Sequence, residues 1–125
     1  MSEMYKRGEK ELTLIPKYEF YMEYMLEVIL LHLPRTEKFS IGTEFKSVMY
    51  DTFKNIMFVE KITPKERIYC LNRIDAGLNI QRALLRIMKK YKWIDNKKFD
   101  YVMNTLIREV GAILGGLIKY YAKNS

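Results

Sequence analysis

Thr63-Pro64-Lys65-Glu66 opens the run TPKERIYCLNRIDAGLNIQRALLRIMKKYKW, residues 63–93. Threonine followed three residues later by glutamate is the pattern of a capping box, and proline suits the first helical position, where its missing N–H costs no bond. A helix starts here, and apolar residues continue at helical spacing to about Lys92. On a helical wheel, Asp75, Asn79, Arg82, Arg86, Lys89 and Lys90 share one polar arc. Ile74, Leu78, Leu85 and Met88 flank that arc, and Tyr69, Ile80, Leu84, Ile87 and Tyr91 lie across the remainder. The apolar arc is close to about 200°, whereas a surface helix of a monomer needs a stripe nearer about 100°. Either another chain covers the surplus or this helix is central in its own bundle, and both readings stay open at this point.

Working outward, the punctuation falls at Pro16, Pro34 and the Asp95-Asn96 pair. A first helix is expected to open with Pro16 in its first turn and to stop near Leu33, because Pro34 disfavours helix in the residue before it. Ser40 is a candidate N-cap for a second helix that carries Ile41, Phe45, Val48, Met49, Phe53, Ile56 and Met57 and ends near residue 61 or 62. Asp95-Asn96 can cap a fourth helix over residues 97–122. No stretch alternates at period two, so the fold class is all-α, an antiparallel four-helix bundle. It is expected to occupy residues 15–125, behind a mobile polar arm of residues 1–14 in which Lys6, Arg7 and Lys10 alternate with Glu3, Glu9 and Glu11. A chain of 125 residues, 49% apolar, can bury a core without disulfides or metals. Its longest unbroken aliphatic run, residues 28–31, is far short of the roughly 20 residues of a bilayer span, so no membrane segment is expected. The N-terminus lacks the apolar region of a secretory signal, and with a single cysteine, Cys70, no internal bridge can form; a cytoplasmic location is expected.

The charge is uneven. Lysines and arginines number 22 against 15 acidic residues, a net +7, yet residues 61–98 alone hold eleven basic and three acidic side chains. The rest of the chain is close to neutral. Such an element attracts polyanions, although a solvated lysine-rich face would look the same. The basic side chains singled out as a binding surface for nucleic acid or a partner are Arg73, Arg82, Arg86, Lys89, Lys90 and Lys92. Among the aromatic residues, Tyr91 and Trp93 stand beside these lysines and could stack on bases.

Catalysis finds little to work with. The lone His32, flanked by Leu31 and Leu33, cannot supply the paired Glu-x-x-His motifs of a di-iron bundle, and reads as a helix-end histidine. Glu19, Glu23 and Glu27 form a solvated acidic stripe, and no phosphate-binding glycine loop is present. Cys70 falls on an apolar flank and is expected to be inert. No catalytic residue, metal site or cofactor is expected. In the fourth helix Phe99, Val102, Leu106, Val110, Ile113, Leu114 and Leu117 make an apolar stripe, with Gly111, Ala112, Gly115 and Gly116 on the opposite half. Glycine inside a helix costs roughly 1 kcal/mol relative to alanine, so this small-residue face asks for a close contact, which we assign to oligomer packing.

Leu33-Pro34-Arg35 with Phe39 and Ile41-Gly42, then Asp75-Ala76-Gly77-Leu78 with Arg82 and Leu85-Arg86, then Glu109-Val110-Gly111-Ala112-Ile113-Leu114-Gly115-Gly116 resemble the accessory variability determinant (Avd) family. The resemblance spans residues 16–121 and departs at Leu117, where many relatives carry tryptophan. It implies a cytoplasmic four-helix bundle assembled as a homopentameric barrel, a non-catalytic accessory protein of a diversity-generating retroelement. Such proteins bind the reverse transcriptase together with RNA and cDNA, and support mutagenic cDNA synthesis. Arg82 and Arg86 match arginines of the family's basic surface, and Asp75 and Gly77 match within its motif as structural residues. The wider superfamily includes structural bundles encoded in intervening sequences of 23S ribosomal RNA genes, so a bundle with no polymerase partner is the alternative.

Overall fold

The computed structural model describes the backbone of residues 2–123 and the side chains of residues 13–123. Four long helical segments run antiparallel to their neighbours, with no strand among the described residues. The first is α1 (Ser2–Tyr24), which continues through a π turn (Met25–Ile29) and a 3-10 turn (Leu30–His32). A single-turn helix, α2 (Arg35–Lys38), leads into α3 (Ile41–Phe58), and α4 (Pro64–Lys90) follows. The fourth segment is α5 (Asn96–Tyr101), a second π turn (Val102–Leu106) and α6 (Ile107–Lys123). Going round the bundle, α1 packs on α3, α3 on α4, α4 on α6 and α6 back on α1.

The ends follow the residues that set them, with three departures, the first being Ser40, the N-cap of α3, whose side chain makes no capping hydrogen bond. Asp95 caps α5, its carboxylate accepting the Lys98 N–H at 2.8 Å, and extended Leu33 ahead of Pro34 ends the first segment. Thr63 is the N-cap of α4 with Pro64 behind it, but its side chain makes no capping hydrogen bond. Pro16 does not open α1. It lies inside the helix, because Leu14, one turn before Tyr18, is 2% exposed and extends the core stripe of Tyr18, Tyr21 and Met25 past the proline. The expected polar arm covers residues 1–14; the side chains of residues 1–12 lie outside the described residues, and Leu14 belongs to the core.

The continuous fourth segment, Asn96–Lys123, is by length and composition apolar enough to cross a membrane, contrary to the reading of unbroken aliphatic runs. That reading missed it because the aliphatic residues are broken into short runs by Asn104-Thr105, Arg108-Glu109 and the small residues Gly111, Ala112, Gly115 and Gly116. In the fold Phe99, Val102, Leu106, Ile107, Val110, Leu114, Leu117 and Tyr121 are buried and form one wall of the core.

A polar network runs through the middle of that core. Gln81 of α4 is fully buried; its Oε1 accepts from Tyr21 Oη at 2.7 Å, and its Nε2 donates to Thr52 Oγ1 at 3.2 Å and to Tyr18 Oη at 3.1 Å. Tyr18 in turn donates to the Met49 carbonyl at 2.7 Å, and Thr52 to the Val48 carbonyl at 2.8 Å. Each member is satisfied, which makes the burial of so many polar atoms tolerable. Gly77 lets α4 come this close to α3: a Cβ there would overlap Thr52 Oγ1. Burial raises the ionisation of both tyrosines far above the ordinary value, most of all by desolvation.

Gly77→Ala is expected to destabilise the fold by about 2 kcal/mol or more, since Thr52 must move and break its bonds. Thr52→Ala in the same chain should recover part of that loss, a coupling of about 1 kcal/mol in urea denaturation; strict additivity would contradict the close contact. The buried tyrosines also fix an alkaline limit. They stay protonated in the folded chain above pH 10 while the unfolded chain ionises, so their stabilisation is complete below about pH 10 and is lost as pH rises. The loss reaches at most about 1.4 kcal/mol per pH unit for each. Tyr21→Phe should flatten the fall in stability between about pH 10 and pH 11 relative to wild type.

Candidate nucleic-acid interface

The basic residues of α4 divide by what each side chain touches. Arg67 is used internally: its Nη1 donates to Tyr121 Oη at 2.7 Å, Nε to the Ile62 carbonyl at 3.1 Å and Nη2 to the Glu60 carbonyl at 3.2 Å. It therefore ties the α3–α4 connection to the end of α6. Arg82 is also drawn in. Its Nη1 donates to Asn79 Oδ1 at 2.8 Å, and its Nη2 lies 2.6 Å from the position a Cβ would take on Gly111. Arg82 is half-buried, and its guanidinium lies across α6 at Gly111.

Arg86, Lys90 and Lys92 are exposed and form no ion pair among the described residues. Lys89 is half-buried with its ammonium 4.5 Å from the centre of the Phe99 ring, so its charge is anchored on α5. Arg73 departs from the group. Nine residues before Arg82, it lies about 180° round the helix from it. It faces a groove of about 770 Å³ between α3 and α4, lined also by Asn55, Phe58, Ile62, Tyr69 and Cys70. The structure thus brings Arg86, Lys89, Lys90 and Lys92 together towards the C-terminal end of α4, folds Arg82 against α6 and separates Arg73 from both.

The small-residue face of α6 divides similarly. Gly111 is covered by Arg82 of its own chain, while a Cβ on Gly115 would meet nothing within 4 Å. Ala112 is exposed and Gly116 is half-buried. Nothing within the described chain requires glycine at 115. On α4 and at its C-cap, Tyr69 is 71%, Ile80 48%, Ile87 42% and Tyr91 60% exposed, so the surplus apolar arc is left uncovered by the chain's own bundle.

Cys70 is buried with its thiol directed to the Asn55 carbonyl at 3.5 Å, and burial pushes its ionisation up, which suits an inert side chain. His32 Nδ1 lies 2.6 Å from the Val28 carbonyl at the end of the first segment. No group of three or more potential metal ligands occurs among the described residues. Sequence reasoning missed Gln81, whose signal was a lone amide between Ile74, Leu78, Leu85 and Met88 on the apolar arc.

The fold and the placement of charge define a four-helix bundle with a near-neutral body and one basic helix end. The chain belongs to the bAvd-like family, whose model matches residues 12–121. This is an accessory family and not a known enzyme class. No curated protein and no solved structure matches the chain.

Gly111→Ala separates the roles of Arg82 without removing its charge. The atom in the way is the end of a flexible side chain, so the guanidinium should swing outwards. Helix propensity then leaves stability unchanged or raised by up to about 1 kcal/mol. A loss of more than about 1 kcal/mol by thermal melting would mean that Arg82 cannot leave its seat.

Proposed function

We propose that this chain is a non-catalytic accessory protein of a diversity-generating retroelement, acting in the cytoplasm as a homopentamer. In this role it binds the reverse transcriptase with template RNA and cDNA through its basic surface. The observation that carries the reading is the family match along residues 12–121, with the basic excess of residues 61–98 as independent support. With no recognition motif for base edges in the sequence, the chain's own contribution is phosphate attraction, and sequence choice falls to the polymerase and its RNA. The uncovered row of Tyr69, Ile80 and Ile87 is the kind of surface that subunit packing covers, and it supports assembly. A ring would also multiply the +7 of each chain around one axis.

Arg86 and Lys90 are the side chains to remove, since both are exposed and Arg82 is tied to the seam. Arg86→Ala with Lys90→Ala should leave the melting temperature and the oligomer mass unchanged and weaken RNA binding. The log-log salt slope should fall by about two, at roughly 0.9 per lost phosphate contact. Pull-down of the reverse transcriptase in the same preparation reports the protein partner. An intact oligomer that binds both partners as wild type does would overturn the assignment of this surface.

A further inference from the structure

Where α4 ends, the chain makes a tight, well-bonded corner. The Lys92 N–H donates to the Lys89 carbonyl at 2.9 Å and the Trp93 N–H to the Met88 carbonyl at 2.9 Å, the paired bonds of a Schellman motif. Lys92 supplies the left-handed residue that the motif requires, with φ 63°, the one positive φ among the described residues. The turn sets the Trp93 ring against the Tyr91 ring, with centroids 5.1 Å apart and planes 21° from parallel. Trp93 is partly buried and packed on the core, whereas Tyr91 is 60% exposed. The pair is therefore a fixed aromatic plate backed by the bundle.

The surroundings choose the occupant. Lys90, Lys92 and Lys97 are exposed in and beside the turn, and Asp95, the one acid within residues 89–98, is engaged with the Lys98 backbone N–H and with the Lys98 ammonium at 3.7 Å. An aromatic face set among lysines suits a ligand that is flat and aromatic at one point and anionic on either side. A duplex hides its base faces, so the ligand is a single strand. We propose that Tyr91, backed by Trp93, is a stacking platform for an unpaired base of single-stranded nucleic acid, with Lys90 and Lys92 on the flanking phosphates. This rests on the nucleic-acid half of the function proposed above. It adds base contact to phosphate attraction, with no preference for base identity, because every base has a π-face.

The test compares three single strands of equal length and charge: oligouridylate, oligothymidylate and an abasic strand. The intact chain should bind the base-bearing strands more tightly than the abasic one. They should also quench the emission of Trp93, the sole tryptophan, more than the abasic strand does. Tyr91→Ala should weaken binding of the base-bearing strands about five-fold or more and leave the abasic strand unaffected, and Tyr91→Phe should retain wild-type affinity. Equal binding of base-bearing and abasic strands by the wild-type chain overturns the platform while leaving the phosphate surface standing. So does a Tyr91→Ala variant that loses affinity equally for all three, or that loses oligomer mass with no base-specific loss. Failure of every strand to bind overturns both readings.

Discussion

The amide of Gln81 is the point on which the bundle depends. It is a neutral side chain with two donors and one carbonyl acceptor, placed where no water reaches it, and Tyr18, Tyr21 and Thr52 meet it from α1 and α3. An apolar residue there would allow neighbouring helices to slide by a turn at little cost. The hydrogen bonds do not, because each shift leaves a buried polar atom without a partner. The network therefore acts on register as much as on stability. Gly77 belongs to the same device, since only an absent Cβ lets Thr52 sit against α4.

With register fixed on the α1 and α3 sides, the contact of α4 with α6 can be looser and more polar. Arg82 lies across Gly111, and Arg67 reaches Tyr121 with its guanidinium 5.5 Å from the ring centre. Both arginines use their planar heads to fill a seam between helices, a use that a lysine would serve poorly. Two members of the basic excess are thus consumed by the fold. The charge left to meet a ligand moves towards the end of α4, where Arg86, Lys90 and Lys92 have no such duty.

The helix ends were legible because proline and aspartate act locally: Pro34, Pro64 and Asp95 impose their geometry whatever packs around them. Pro16 was misread because its local signal opposes a tertiary one, the burial of Leu14, and the core stripe prevails. The two π turns were invisible for a related reason. Each inserts a residue into a turn and rephases the helix beyond it, and no residue type announces this; Tyr24 and Tyr101, which lead into the two π turns, meet edge-on at 5.1 Å. Of the site, the charge excess and the Tyr91–Trp93 pair were readable from composition and spacing. The inward turn of Arg82 was not, because a wheel gives the direction of Cα–Cβ and not the reach of a long side chain. Arg73 was a different failure, since counting charge in a window took no account of its angle.

These placements separate α4 into faces with different work. One face holds the polar core network, one lies under α6, and the outward side runs from the apolar row of Tyr69, Ile80 and Ile87 to the basic end of the helix. A partner covering the apolar row gains by burying hydrophobic area, a gain that salt barely alters; a ligand at the basic end gains by releasing counterions, which salt abolishes. Tyr91 stands at the boundary, apolar enough for the first and set in the chain between exposed Lys90 and Lys92, suited to the second. Since the Schellman turn fixes its ring against Trp93 before any ligand arrives, binding there requires little ordering of the chain. A short, shallow surface can then hold a flexible strand.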